Sequence, residues 1–183
     1  ATNKGPAKGL RTSSFRAEAV GILSVLRFLL RAFEYTGIEH PKTMLLYTDS
    51  LSLVMKIQSH RLFNEYYPNA TLEPEWDILQ AIKYTLGNIP TTVHINHVKG
   101  HQDDNIDFNL LSLPAQLNVE ADKLASEYNY QYDHQARSCS LISGNTVQVH
   151  SAQGTLTSKI RQHIRLMATK QTIQQHIKIQ QQW

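Results

Sequence analysis

The chain has 183 residues, 41% of them hydrophobic and 18% charged, a length and balance that fit one domain with an appendage and exclude intrinsic disorder. No apolar run approaches the roughly 18 residues of a membrane span, and no charged-then-apolar leader is present, so the expectation is an intracellular protein, cytoplasmic or nuclear, with no membrane partner. The single cysteine, Cys139, excludes an internal disulfide framework and a Cys-based zinc cluster, while the net charge of +3 divides into a body and a tail of opposite sign. Residues 1–133 carry 12 Lys/Arg and 15 Asp/Glu, a net of −3; residues 134–183 carry six Lys/Arg and no acid, a net of +6. A purely basic tail points to a polyanionic partner.

Residues 1–14, rich in Gly, Lys, Thr and Ser, have no period and are expected as loop. From Phe15 to Tyr35, Ala19, Ile22, Leu23, Leu26, Leu30 and Phe33 recur at helical spacing, with Thr12, Ser13 and Ser14 as candidate N-caps and Gly37 as the stop. Thr43–Thr48 suits a strand buried on both faces and runs directly into Asp49-Ser50 and a second helix over 51–59. Residues 60–75 are loop by composition, and Ile78, Leu79, Ile82 and Leu86 mark a third helix just after Trp76. Thr91–Lys99 is apolar and β-branched enough for a second buried strand. A polar loop follows Gly100, then a fourth helix near 115–129. This order predicts an α/β fold with parallel strands joined by helical crossovers. Beyond residue 133, a small hairpin over 140–150 and a long basic helix over 157–182 form a separate C-terminal extension.

Three carboxylates stand where α/β proteins place chemistry: Glu18 in the first turn of the first helix, Asp49 at the end of the first strand, and Asp122 on the fourth helix. Each has a plainer role available. An acid in a first turn complements the helix dipole, Asp49-Ser50 can cap a helix, and Asp122 can sit on a solvated face.

Together the segments say more. Ser13-Ser14-Phe15-Arg16-Ala17-Glu18-Ala19, Tyr47-Thr48-Asp49-Ser50, Val98-Lys99-Gly100-His101-Gln102-Asp103 and Asn118-Val119-Glu120-Ala121-Asp122-Lys123-Leu124-Ala125 occur in this order on the expected elements. That set, over about residues 12–130, resembles the type 1 ribonuclease H domain attached to retroelement reverse transcriptases. The resemblance implies a ribonuclease H-like fold and metal-dependent endonucleolytic hydrolysis of the RNA strand of RNA–DNA hybrids. It implies Glu18, Asp49 and Asp122 as ligands of Mg²⁺ (or Mn²⁺), and His101 as an aid to proton transfer or product release. Hard oxygen ligands suit Mg²⁺, and two such ions activate water and stabilise a leaving oxygen. Ser14, Arg16, Ser50 and Lys99 are expected nucleic-acid contacts, and a flanking polymerase domain is the expected neighbour.

The family's pattern opens with an Asp on a first strand, followed by two antiparallel strands. No Asp precedes Asp49 here, and the chain starts at Ala1 and stops at Trp183 inside a helical pattern. It is expected to be N-terminally truncated, to bind Mg²⁺ poorly and to be inactive alone, with the edge of its first strand open. A calcium loop over His101–Asp107 fails because the required Gly is Phe108 and the closing Glu is Pro114. His94 and His97 have no i,i+4 His pair or Cys beside them and are expected as packed or hydrogen-bonded strand residues rather than zinc ligands. Lys159, Arg161 and Arg165, with Lys170 and Lys178, can track phosphates along the C-terminal helix; its apolar stripe equally allows packing on a protein. Two alternatives to catalysis stand: a degenerate domain of the same fold that only binds or tethers nucleic acid, or a basic-helix protein-interaction module.

Overall fold

In the computed structural model, which describes residues 13–36, 41–61, 73–131, 149–151 and 154–180, Ser13 opens helix α1 (Ser14–Thr36). The Ser13 hydroxyl accepts from the Arg16 amide at 3.1 Å and its carbonyl accepts from Ala17 at 3.0 Å, meeting two of the helix's orphan donors. The remaining elements in chain order are β1 (Thr43–Thr48), α2 (Leu51–Arg61), α3 (Trp76–Asn88), β2 (Thr92–His97), α4 (Leu113–Gln131), β3 (His150–Ser151), β4 (Gly154–Thr155) and α5 (Ile160–Gln180). Two short 3₁₀ turns, Gln102–Asp104 and Phe108–Leu110, lie between β2 and α4. The expected stop at Gly37, most of the 60–75 loop, Cys139 and the expected hairpin up to residue 148 lie outside the described residues.

The fold is mixed α/β and mostly helical. β1 and β2 pair in parallel, Thr43 opposite Thr92 through Thr48 opposite His97, and α2 and α3 make the crossover between them. The apolar stripe of α1 (Ala19, Ile22, Leu23, Leu26) meets Leu53 and Ile57 of α2, Ile78 and Ile82 of α3, and Val93 and Ile95 of β2 in one core. Each buried Leu, Ile or Val here contributes about 1.5–3 kcal/mol on leaving water, which is why the apolar periodicity of α1 and α3 marks those helices in the sequence.

One strand expectation is corrected. β1 alternates, with Met44, Leu46 and Thr48 toward the core, while Leu45 stays 56% exposed and Tyr47 is exposed as well. His94 and His97 are exposed on β2 rather than packed. A parallel strand is buried on both faces only when helices cover both, and here the main core forms on one face.

A charged cluster ties α1 to α3. Arg16 is 0% exposed and its guanidinium donates to Asp77 in a bidentate fork, Nη1 to Oδ1 at 3.0 Å and Nη2 to Oδ2 at 2.7 Å, with Glu75 as a further partner. Burial acts against the Arg16 charge, but the bonds to Asp77 and Glu75 outweigh it and hold its pKa above the ordinary value. The C-terminal segment closes over the same place. Glu75, in the left-handed region at φ 60°, donates its amide to the Thr157 carbonyl at 2.7 Å. Trp76, 1% exposed, packs with Leu156 and Ile160. The short antiparallel pair β3–β4, His150 opposite Thr155, leads into this contact.

Removing one partner of a buried ion pair strands the other charge, at a cost of about 3–5 kcal/mol. Asp77→Ala is therefore expected to lower unfolding stability in urea by about that amount. Arg31→Ala, which breaks the exposed pair with Glu34, is expected to change it by less than about 1 kcal/mol.

Candidate active site

Parallel pairing brings the C-terminal ends of β1 and β2 together, and Val98 donates to the Thr48 carbonyl at 3.0 Å to extend that junction. Helix α3 runs back into β2, so its first residues lie at this same end of the sheet, and Arg16 fastens the start of α1 there.

Glu18 faces β1. Its Oε2 accepts from Thr48 Oγ1 at 2.7 Å, and Thr48 Oγ1 in turn accepts from the Ser50 amide at 3.2 Å. The first turn of α1 holds no acid: the helix begins at Ser14, which puts Glu18 one turn further in than expected and weakens the dipole explanation for it.

Asp49 is half-buried, and no hydrogen bond or ion pair among the described residues engages its carboxylate. It does not cap α2 through its side chain; the Ser50 carbonyl accepts from Leu53 and Val54, and Leu51 donates to the Asp49 carbonyl at 3.1 Å. Gly100 lies directly against it, since a Cβ there would come within 3.0 Å of Asp49 Oδ2. A side chain at 100 would crowd the carboxylate, which would have to yield slightly to admit it.

Asp122 projects from α4, where Asn118 one turn earlier donates to its Oδ2 at 3.4 Å. Burial raises the Glu18 pKa, as do the charges of Asp49 and Asp122, while the Thr48 bond opposes the rise. Burial likewise raises Asp122, reinforced by Asp49 and Asp103 and opposed by His101. Helix α4, which carries Asp122, packs against β1 and the Gln102–Asp104 turn, so the three carboxylates lie at the same end of the sheet, near enough for their charges to act on one another.

His101 is exposed and sits at φ 52°, a left-handed conformation that costs a non-glycine residue about 1 kcal/mol. The segment that carries it is held by Val98, Leu111 and Ala115 packed together, and by Gln116, which donates to the Phe108 and Leu111 carbonyls at 3.1 Å each. Asp107 accepts from the Asn109 amide at 2.9 Å, a turn role.

The donor chemistry of Glu18, Asp49 and Asp122 suits a hard divalent cation. Among the described residues, however, no three His, Cys, Asp or Glu side chains are gathered tightly enough to hold one ion between them. Mg²⁺ is commonly held by only one or two carboxylates, with water and substrate oxygens filling its remaining positions.

Of the expected nucleic-acid contacts, Ser14, Lys99, Lys159, Arg161 and Arg165 are exposed and Ser50 is half-buried. Arg16 is corrected: with no exposed surface and its fork committed to Asp77, it holds the fold together and presents nothing to a phosphate. Thr48, Gly100 and Asn118 shape the site although sequence reasoning assigned them no role. The signals were local: Thr48 falls on the core-facing side of the strand just before Asp49, and Asn118 stands four residues from Asp122 on a helix.

No protein-family model, no curated protein and no solved structure matched the chain. Among the described residues no helix is long and apolar enough to cross a membrane.

The raised carboxylates fix a pH dependence. A carboxyl group whose native pKa lies above its unfolded value binds more protons when folded, so stability falls as pH rises from the ordinary carboxylate range through the raised value. Glu18→Gln, which keeps an acceptor for Thr48, is expected to be more stable than the wild type to thermal unfolding at neutral pH. The advantage should vanish below the ordinary carboxylate range.

Proposed function

We propose that this chain is a ribonuclease H-like domain of a reverse-transcriptase polyprotein, and that its chemistry is the Mg²⁺- or Mn²⁺-dependent hydrolysis of RNA within an RNA–DNA hybrid. The observation that supports this is geometric: Glu18 bonds to Thr48 beside Asp49, Gly100 lies against the Asp49 carboxylate, and α4 with Asp122 packs against β1 and the turn that follows His101.

Glu18, Asp49 and Asp122 are the residues that would hold the metal. When bound, the ion supplies Lewis-acid stabilisation of phosphate oxygens and a more acidic water. The chain's own residues do the rest. Asp49 offers a carboxylate with no hydrogen bond among the described residues, and Thr48 orients that of Glu18. His101, exposed just ahead of the Gln102–Asp104 turn that α4 contacts, would hold or pass a proton at the departing oxygen. Lys99 and Ser14 are exposed for contact with the phosphate backbone.

A second reading is favoured by one specific feature: none of the 48 residues before Asp49 in this chain is an Asp, whereas the resemblance calls for a further carboxylate there. A domain of the same fold that only binds or tethers nucleic acid would need none.

A labelled hybrid separates the two. The 183-residue chain in Mg²⁺ is expected to leave it intact, and clear cleavage would refute that inactivity. The same chain preceded by a strand carrying an Asp is expected to cut the RNA strand alone. In that background Asp49→Asn should lower the rate by roughly 100-fold or more, the scale of losing one charge-stabilising group. Tight binding of the hybrid by the extended chain with no cleavage in Mg²⁺ or Mn²⁺ would overturn catalysis and support tethering.

A further inference from the structure

Among the described residues, helix α5 is anchored at its root. Ile160 is buried on Trp76, whereas every residue from Ile164 to Gln175 is exposed. The root stands at the crevice end of the sheet, because Trp76 neighbours Asp77, Asp77 holds Arg16, and Glu18 follows Arg16 by two residues. From there the 21-residue helix extends for about 30 Å.

Its surface divides into three stripes. Ile160, Ile164 and Met167 share the anchored side, at spacings of i, i+4 and i+7. Leu166, Ile173 and Ile177 form a second stripe, about 120° around the helix at 3.6 residues per turn. Arg161 and Arg165 head the third, where Thr169 and Thr172 turn their hydroxyls back onto the helix's own carbonyls at 2.9 and 3.0 Å. Neither apolar stripe runs as the continuous seam of a coiled coil. Residues 134–183 contain no acid, so neither the helix nor its approach offers the mixed charges that pair protein helices. Lys159, Arg161, Arg165 and Lys170 are exposed in a segment without an acid, and the complement of such a surface is a polyanion.

We infer that α5 is a second nucleic-acid contact, an arm whose Arg161–Arg165 stripe follows the phosphate backbone of a duplex that enters the carboxylate crevice. This rests on the hybrid as substrate and adds a binding element to it. Backbone contacts of this kind position a duplex without reading its sequence.

The test is anisotropy of a labelled hybrid of about 20 base pairs, titrated with salt in EDTA, so that it needs neither metal nor cleavage. Arg161→Gln with Arg165→Gln removes two exposed charges. It is expected to lower the slope of log K against log salt by about 2 and to weaken binding by roughly 30- to 100-fold near 0.1 M salt. Circular dichroism should stay unchanged. An unchanged slope, or no binding by the wild type, overturns the arm. So does a dimer in sedimentation that Ile173→Asp disperses while the arginine variant still binds, because α5 would then be a surface for a second copy. Failure of cleavage with the slope change intact would overturn only the catalytic proposal.

Discussion

A guanidinium with no contact to water organises one end of this molecule. Arg16 carries its charge into the interior only because Asp77 meets it with both oxygens and Glu75 adds a third acceptor. Desolvating three charged groups is costly, and only near-complete pairing offsets it. The geometry this enforces is specific: the start of α1 is pinned to the start of α3, at the end of the sheet where both strands finish. Two residues later on the same helix, Glu18 is turned toward β1 and bonded to Thr48. One short stretch thus holds a neutralised cation on one side and presents an under-neutralised acid on the other.

The contrast between these two charge clusters is the main argument for function. Around Arg16 the charges are complementary and committed. Around Asp49 they share one sign, add to the rise that burial causes in the pKa values of Glu18 and Asp122, and leave the Asp49 carboxylate without a hydrogen bond among the described residues. Carboxylates that repel one another give the fold no support, which is why the proposed function rests on them and not on the Arg16 cluster. Gly100 fits the same view, since the chain keeps its smallest residue where a side chain would crowd Asp49.

Much of this was legible before any coordinates. The bounds of α1, β1 and α3 follow from apolar periodicity, because burial of one face is a local pattern written at fixed spacing. The parallel crossover follows from the order of elements. Arg16 was not legible. Its partners lie about 60 positions away, and an arginine beside a conspicuous motif reads as a phosphate contact until those partners come into view. The exposed face of β1 was misjudged for a related reason, since Thr43–Thr48 has the composition of a strand covered twice but the main core covers it once. The C-terminal segment, separate in composition, is joined to the body by Trp76, Leu156 and Ile160, a contact with no periodic signature.

The central claim is that Glu18, Asp49 and Asp122 form one cation-attracting crevice. The most direct measurement is paramagnetic broadening of amide resonances in the isotope-labelled chain during a Mn²⁺ titration. The account predicts that signals from residues around Glu18, Thr48–Ser50, Gly100–His101 and Asp122 broaden first and together. Broadening that instead spreads evenly over surface acids such as Asp104, Glu120 and Glu127, with none concentrated at the crevice, would contradict it.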